Sequence, residues 1–534
     1  MSEQLLKNTG KLSGFFLRRD RLRIPIWLLS ITALTLAIAS YFTNLYPTAQ
    51  EREAIAATME NPAMIAMVGP GYGLDNYTFG AMMAHQMLLL TAVAVGIMNI
   101  LLVTRHTRSD EEAGRIEMIR SLPTGRLANL SAAIAVLFGT NGFLALAVGF
   151  GLFALQIESM DLFGSLLYGA ALGATGIFFT GLTALFAQLT SSSRGTTGLS
   201  ISALLLAYLI RGIGDVSYEA LSWLSPFGWI LKSEVYVNNY WWPILLTLGV
   251  SLFLVILAFY LNRIRDLEAG FLPAKPGRKT ASPLLQSPLA LMIRLQRTSI
   301  IAWAIGLYVL GASYGSVMGD LEDFFDKNEA LQQLLKPVPG FSLTEQFIPL
   351  LMTIMAIIST IPTLMALLKL SSEEKKNRTE SLLALAISRT RLLGSSFVVA
   401  IATSLIILSC AVIGLWSAGA ATMDEPISLG TYYKAALVYL PAIWAMIGLT
   451  VLLIGIAPRW TNLTWAYLIY SFVVVYLGRL LEFPEWMSNL SPYGHIPQLP
   501  VEEMDFMNIS FVTLVALGLT IIGFIGYNRR DIYG

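Results

Sequence analysis

Charge is the first thing this chain is short of. Asp, Glu, Lys and Arg make up only 13% of its 534 residues, about half the roughly 25% of an average soluble domain. A soluble protein needs a charged skin, so an ordinary cytosolic enzyme is excluded. Cysteine is nearly absent. Cys410 stands alone in an apolar run, which excludes internal disulfides and any multi-cysteine metal site. The three histidines, His85, His106 and His495, are too scattered for a zinc or di-metal centre. Neither sign of charge is in excess: the net is +1, and nothing global points to nucleic acid. No Gly-x-x-x-x-Gly-Lys-Ser/Thr phosphate loop is present. Gly277-Arg-Lys-Thr lacks the upstream glycine, and Gly69-Pro-Gly-Tyr-Gly lacks the lysine. This chain therefore cradles no nucleotide by itself.

What fills the chain instead is apolar: 55% of it is hydrophobic. A bilayer-spanning helix needs about 20 mostly apolar residues. Twelve runs qualify: 24–46, 79–104, 127–154, 163–189, 197–213, 242–261, 299–318, 346–369, 392–417, 432–456, 462–481 and 508–527. The first follows a basic stretch and is too long for a signal-peptide core, so it reads as a retained span despite Ala37-Ile-Ala39. With the N-terminus inside, the inner segments hold 28 of the 35 Lys and Arg residues. That bias predicts a multi-pass protein of a cell membrane with both termini cytoplasmic.

The chain also repeats itself at an offset of about 265 residues. Arg18, Arg21 and Trp27 recur as Arg294, Arg297 and Trp303; Asn61-Pro-Ala recurs as Asn328-Glu-Ala. Glu111, Arg115, Glu117 and Arg126 recur as Glu374, Arg378, Glu380 and Arg389. Arg194 recurs as Arg459, Ser225-Pro-Phe-Gly as Ser491-Pro-Tyr-Gly, and Asn262-Arg-Ile-Arg-Asp as Asn528-Arg-Arg-Asp. The order is kept throughout, which chance does not produce. Each half has six spans, an even number, so the halves run parallel about a pseudo-twofold axis along the membrane normal. The expected organisation is a first repeat at 1–269, a Pro- and Gly-rich cytoplasmic linker at 270–288, and a second repeat at 289–534. The fold class is all-α integral membrane: twelve transmembrane helices in two parallel six-helix repeats.

Two further elements are predicted in each half. Residues 3–19 place Leu5, Leu12, Phe15 and Phe16 near one helical face, against Lys7, Lys11 and Arg18. This suits an elbow helix in the inner interface, and 284–297 repeats the pattern. The inner loop 105–126 and its counterpart 373–391 are too charged to enter the membrane, yet each carries an apolar stripe. Glu111 and Arg115, like Glu374 and Arg378, are spaced for an i,i+4 pair, with Glu117 and Glu380 following. A repeated charged helix with an apolar stripe beside a membrane predicts docking to a partner protein. The alternative is a solvated loop.

Polar and flexible residues inside spans predict a transport path. Met83, His85 and Met87 lie in the second span, and Met352 and Met355 at the related depth of the eighth. Flexible methionines suit greasy ligands of varied shape. Arg211 and Arg479, at the outer ends of the fifth and eleventh spans, either meet anionic groups or snorkel to water. The outer acids Asp320, Glu322, Asp323 and Asp326 form no acid–base constellation. An ion-coupled secondary multidrug carrier also has two six-span halves. It needs membrane-buried acids, which are almost missing here.

The twelve-span layout, the Glu111-Glu-Ala-Gly-Arg-Ile-Glu117 loop, Ser225-Pro-Phe-Gly-Trp229 and the Asn-Arg-x-Arg-Asp ending resemble bacterial type-2 ABC exporter permeases. The resemblance is to their fused double-length branch, the polyketide antibiotic exporters, and covers nearly the whole chain. It implies a transport subunit rather than an enzyme, set in the bacterial inner membrane. Two separate ABC ATPase subunits would carry ATP and Mg, and no cofactor would sit on this chain. The substrate would be a hydrophobic or amphipathic small molecule, moved outward. The second half departs from the pattern. Lys375, Asn377 and Ala386 replace Glu112, Gly114 and Pro123, and His495 stands where Trp229 stood, which predicts unequal coupling surfaces.

Overall fold

The computed structural model describes the chain except residues 1–4, 61, 273–278, 281, 283–284, 286, 321–340, 376, 386, 424–425, 477–482 and 532–534. Arg479, Asn328-Glu-Ala, Glu322, Asp323, Asp326 and most of the linker lie outside the described residues. The described residues form helices and connections with no strand among them. The chain divides into two compact units, residues 1–277 and 278–534.

In the first unit the helices are α1 Thr9–Arg19, α2 Arg23–Leu45, α3 Ala49–Met59, α4 Pro62–Val68, α5 Phe79–His106, α6 Arg108–Glu112, α7 Arg115–Arg120, α8 Ala128–Ala154, α9 Leu162–Leu189, α10 Ser193–Val216, α11 Glu219–Ser222, α12 Pro226–Leu231 and α13 Trp242–Ile264. In the second they are α14 Pro288–Gly315, α15 Leu343–Glu374, α16 Arg378–Leu383, α17 Arg389–Thr422, α18 Leu429–Leu437, α19 Leu440–Ile456, α20 Leu463–Tyr476, α21 Glu485–Asn489 and α22 Phe506–Arg529. Among the described residues, eleven helical stretches are long and apolar enough to cross a membrane, α18 and α19 counting together as one. The twelfth, α20, is apolar over 14 residues; the span read at 462–481 continues into residues outside the described part. The second elbow differs from expectation. Ser287 caps the Ala290 amide, and Pro288 opens one uninterrupted helix to Gly315. The first unit keeps a separate α1 because Asp20 ends it before α2 begins.

Without water, backbone groups in the membrane must pair within their own helix, and helices then associate through close packing of small residues. Both units do this. A Cβ on Gly169 would collide with the Ala145 carbonyl of α8, and one on Gly414 with the Tyr308 carbonyl of α14. A Cβ on Gly455 would meet the Gly523 carbonyl of α22. The repeated Ser-Pro-aromatic-Gly motif is a helix cap plus a close approach. Ser225 and Ser491 accept from the Phe227 and Tyr493 amides at 3.2 and 3.3 Å. A Cβ on Gly228 or Gly494 would strike the Ser222 or Ser488 carbonyl.

One buried polar pair ties α5, α8 and α9 together. The Asn99 and Asn141 amides donate to each other's carbonyl oxygens at 3.0 and 2.8 Å, and Thr180 donates to Asn99 at 3.0 Å. All three side chains are buried. Asn141→Ala takes from the Asn99 amide its two contacts with α8 and leaves it only the Val95 carbonyl and the Thr180 hydroxyl. The expected cost is about 1–2 kcal/mol, read as a lower unfolding midpoint of the purified protein in detergent. An unchanged midpoint would show that the pair carries no stability.

Candidate functional site

The loop at 105–126 begins as the continuation of α5. Thr107 breaks the helix at φ −113° and ψ −94°. After α6, Gly114 takes φ +70°, a left-handed conformation that favours glycine, and α7 restarts in a new direction. Buried charge anchors the segment. Arg108 donates to the Ala187 and Ala269 carbonyls, both at 2.6 Å. Glu111 takes a two-pronged contact from Arg265 at 3.0 and 2.9 Å and also accepts the Glu268 amide at 2.6 Å. Arg126 donates to the Arg265 carbonyl at 2.8 Å. The turn is thus clamped to the ends of α9 and α13. Glu112 accepts from the Ser193 amide and hydroxyl at 2.8 and 2.5 Å, an acid at the positive N-terminal end of α10.

The second loop repeats the construction. Asn377 takes φ +56° where Gly114 stood. Glu374 accepts from the Tyr527 hydroxyl at 2.5 Å and from Arg530 at 2.6 Å. Arg389 donates to the Asn528 and Arg530 carbonyls at 3.2 and 2.6 Å. The clamp to the end of the last span is therefore common to both units. The Glu112 contact is not. Lys375 occupies that position, and Pro458, the counterpart of Ser193, has no N–H to offer.

The expected pairs Glu111/Arg115 and Glu374/Arg378 do not form. An i,i+4 pair needs a continuous helix, and Gly114 and Asn377 interrupt it. Arg115 reaches Asp110 at 2.6 Å, and Arg378 reaches Glu373 at 3.2 Å, each five residues back. Both arginines are half-exposed or more, at 52% and 65%, so each pair contributes about 0–1 kcal/mol. The next carboxylates are different. Glu117 and Glu380 are exposed, and neither has an ion-pair or side-chain hydrogen-bond partner among the described residues. Ile116, an apolar residue of the first loop, is buried, whereas Leu122 and Leu385, further along the same loops, stand out in the open, as does Met118 in the first loop. Each loop is thus a rigid mount with a free Glu and an exposed Leu.

Elbow helix α1 docks onto the first loop. Phe16 is buried and its ring lies 4.4 Å from that of His106. Arg19 donates to Asp110 at 2.7 Å and contacts His106 Nδ1 at 2.6 Å. A guanidinium only donates, so Nδ1 accepts and the ring proton is assigned to Nε2. That nitrogen faces Asp20 at 2.7 Å. Burial pushes the Asp20 carboxyl up, but its hydrogen bond with His106 and the charges of Arg19 and Arg23 outweigh this and hold it below the ordinary carboxylate value.

Within their own units, the residues expected along a substrate path have the following surroundings. Met83 lies in the apolar core of the first unit, with Met87 packed against that core, and Met352 and Met355 lie in the core of the second. His85 contacts the Tyr77 hydroxyl at 2.9 Å and the Gly69 carbonyl at 3.0 Å. Arg211 is fully buried. It donates to the Ile65, Ala66 and Met67 carbonyls at 3.1, 2.8 and 3.3 Å and pairs with Asp215 at 3.2 Å. A cation here finishes the open C-terminal end of α4 instead of reaching water. Sequence reasoning missed Asp20, Arg108, Asp110, Arg265, Tyr527 and Arg530. The repeated Asn-Arg-x-Arg-Asp endings were the signal for two of these, Arg265 and Arg530.

Two units rich in membrane-length helices, each carrying an anchored polar loop, define a multi-pass membrane protein. Comparison with known proteins narrows this. The family described as "Multidrug efflux system permease Rv1217c, C-terminal domain" matches the chain over residues 10–263 and 285–528. A relative from Mycobacterium tuberculosis (strain ATCC 25618 / H37Rv), the "Multidrug efflux system permease protein Rv1217c", is 37% identical over 525 residues. The alignment covers 97% of this chain and 94% of the relative. The chain belongs to this family of multidrug efflux system permeases.

Proposed function

We propose that the chain is the membrane-spanning subunit of an ATP-driven ABC exporter. Two separate ATPase subunits, carrying ATP and Mg, dock on loops 105–126 and 373–391, and the cargo is a hydrophobic or amphipathic small molecule moved out of the cytoplasm or inner leaflet. The observation that carries this is the pair of clamped loops, each presenting an exposed Glu without a partner among the described residues and an exposed Leu further along the same loop. A rigid element seated on the ends of spans is what ATPase closure needs to move them. The sequence supports the rest: no phosphate loop lies in this chain, and 28 of 35 cationic residues fall on the side given to the termini. The family's multidrug efflux permeases fit the same cargo class. Mass measurement of the complex purified from its native membrane tests it, with one copy of this chain and two ATPases expected. Substrate transport driven by ATP with this chain alone, or by an ion gradient without any ATPase, would overturn it.

A further inference from the structure

In the second unit, α19, α20 and α22 part around a cleft of about 630 Å³, within the size range of drug-sized ligand sites. Ala445, Leu449, Leu453, Ala466, Val515 and Leu519 form its apolar walls. The turn at 489–495 closes the end remote from the C-terminus of α22, bringing Asn489 and His495 to the lining. No Asp, Glu, Lys or Arg lines the cleft. His495 Nε2 lies 2.7 Å from the Asn489 carbonyl. A carbonyl only accepts, so Nε2 bears the proton and Nδ1 of the neutral ring remains as an acceptor. The Tyr467 hydroxyl is already used on the Leu490 carbonyl at 2.6 Å.

The first unit has the same place filled. Gly181 abuts the Ser251 carbonyl of α13, as Gly448 abuts the Ala516 carbonyl of α22. Three residues before each glycine stand Phe178 and Ala445. The Ser-Pro-aromatic-Gly motif ends in Trp229 in one unit and His495 in the other. Phe178 and Trp229 meet edge to face with ring centroids 6.0 Å apart, and the Trp229 indole donates to the Trp223 carbonyl at 2.6 Å. Replacing phenyl by methyl and indole by imidazole, at two positions distant in sequence, is what opens the second unit. A core that loses this much volume does not stay empty without a cost, since void walls forfeit their contacts.

We propose that this cleft binds the apolar body of an uncharged amphipathic molecule, the exported compound, with its hydrogen-bonding end at His495 and Asn489. The assignment to cargo rests on the export reading above. Two observations favour cargo over a bilayer phospholipid. A furrow for bulk lipid would serve both units alike, and one is filled. A phospholipid head would call for a cation, and the lining has none.

The test is binding of N-phenyl-1-naphthylamine, a neutral apolar fluorophore, to the purified full chain in detergent. The double variant Ala445→Phe/His495→Trp installs the first unit's own pair. It is expected to weaken fluorophore binding by about ten-fold or more with the thermal midpoint kept. If that variant does not fold, Val515→Cys in a Cys410→Ser background, capped with a bulky maleimide after purification, fills the same space and should give the same loss. Unchanged affinity in the filled protein would overturn the proposal. So would loss of a co-purifying phospholipid from the filled protein with fluorophore binding intact, because the cleft would then be a lipid site. Binding needs no ATPase. Fluorophore binding lost on filling, in a protein whose transport proves independent of ATP, would leave the cleft standing and remove the ABC reading alone.

Discussion

Reversing the charge at Glu117 or Glu380 is expected to abolish coupling without unfolding the protein. Both carboxylates are exposed and have no ion-pair or side-chain hydrogen-bond partner among the described residues, so neither ties its own unit together through its charge. Reversal therefore costs the fold little, in keeping with the small effects of surface changes away from buried networks. A docked carboxylate paired across an interface is different, because truncating one partner leaves the other desolvated, at about 2–5 kcal/mol. Substrate-stimulated ATP hydrolysis and transport in the reconstituted complex should fall by more than about ten-fold, with thermal stability and membrane insertion retained. Glu117→Lys should be the more severe. The first loop exposes both Met118 and Leu122, whereas the second exposes Leu385 and has Ser381 where Met118 stood. Wild-type stimulation and transport in both variants would remove these loops from the coupling path.

The opposite pattern is expected at Glu111. This carboxylate is buried between Arg265 and Arg108, at 2.9 Å from the one and 3.2 Å from the other. Glu111→Gln leaves two buried guanidinium groups without a counter-charge. Breaking such a pair costs about 3–5 kcal/mol, a large part of the stability of a typical domain. The variant should lose folded protein in the membrane and show a clearly lowered melting temperature. In the second unit, Glu374→Gln should cost less, because it faces one guanidinium and a hydroxyl, and Arg530 keeps 14% of its side chain in solvent. Equal melting of wild type and Glu111→Gln would show the clamp to be dispensable.

The contrast between neighbouring carboxylates explains how far the sequence could be read. The repeat identified Glu111, Glu117, Glu374 and Glu380 as one set. It did not separate the anchors from the free pair. Spacing along a helix assigned Arg115 to Glu111, but Gly114 turns the chain. The true partner, Arg265, comes from the far end of α13, 154 residues away. Likewise His85 and Arg211, polar groups in apolar runs, looked available for a ligand. Their partners include backbone carbonyls at Gly69 and Ile65–Met67, which no side-chain pattern announces. His495 replacing Trp229 was legible as an asymmetry, but its meaning depends on Ala445, which carries no signal at all in sequence.

The sequence by itself determined the solvent of this protein and the approximate limits of eleven of the twelve membrane-crossing runs read in it, and it pointed to a duplication. Apolar run length, cation bias and ordered repeats are properties of consecutive residues, and the bilayer enforces them locally. The tertiary structure decided which charges are locked and which stand free, and where space is left between helices. Those outcomes depend on which side chains meet from distant segments, and on glycines at which carbonyls of neighbouring helices come within contact.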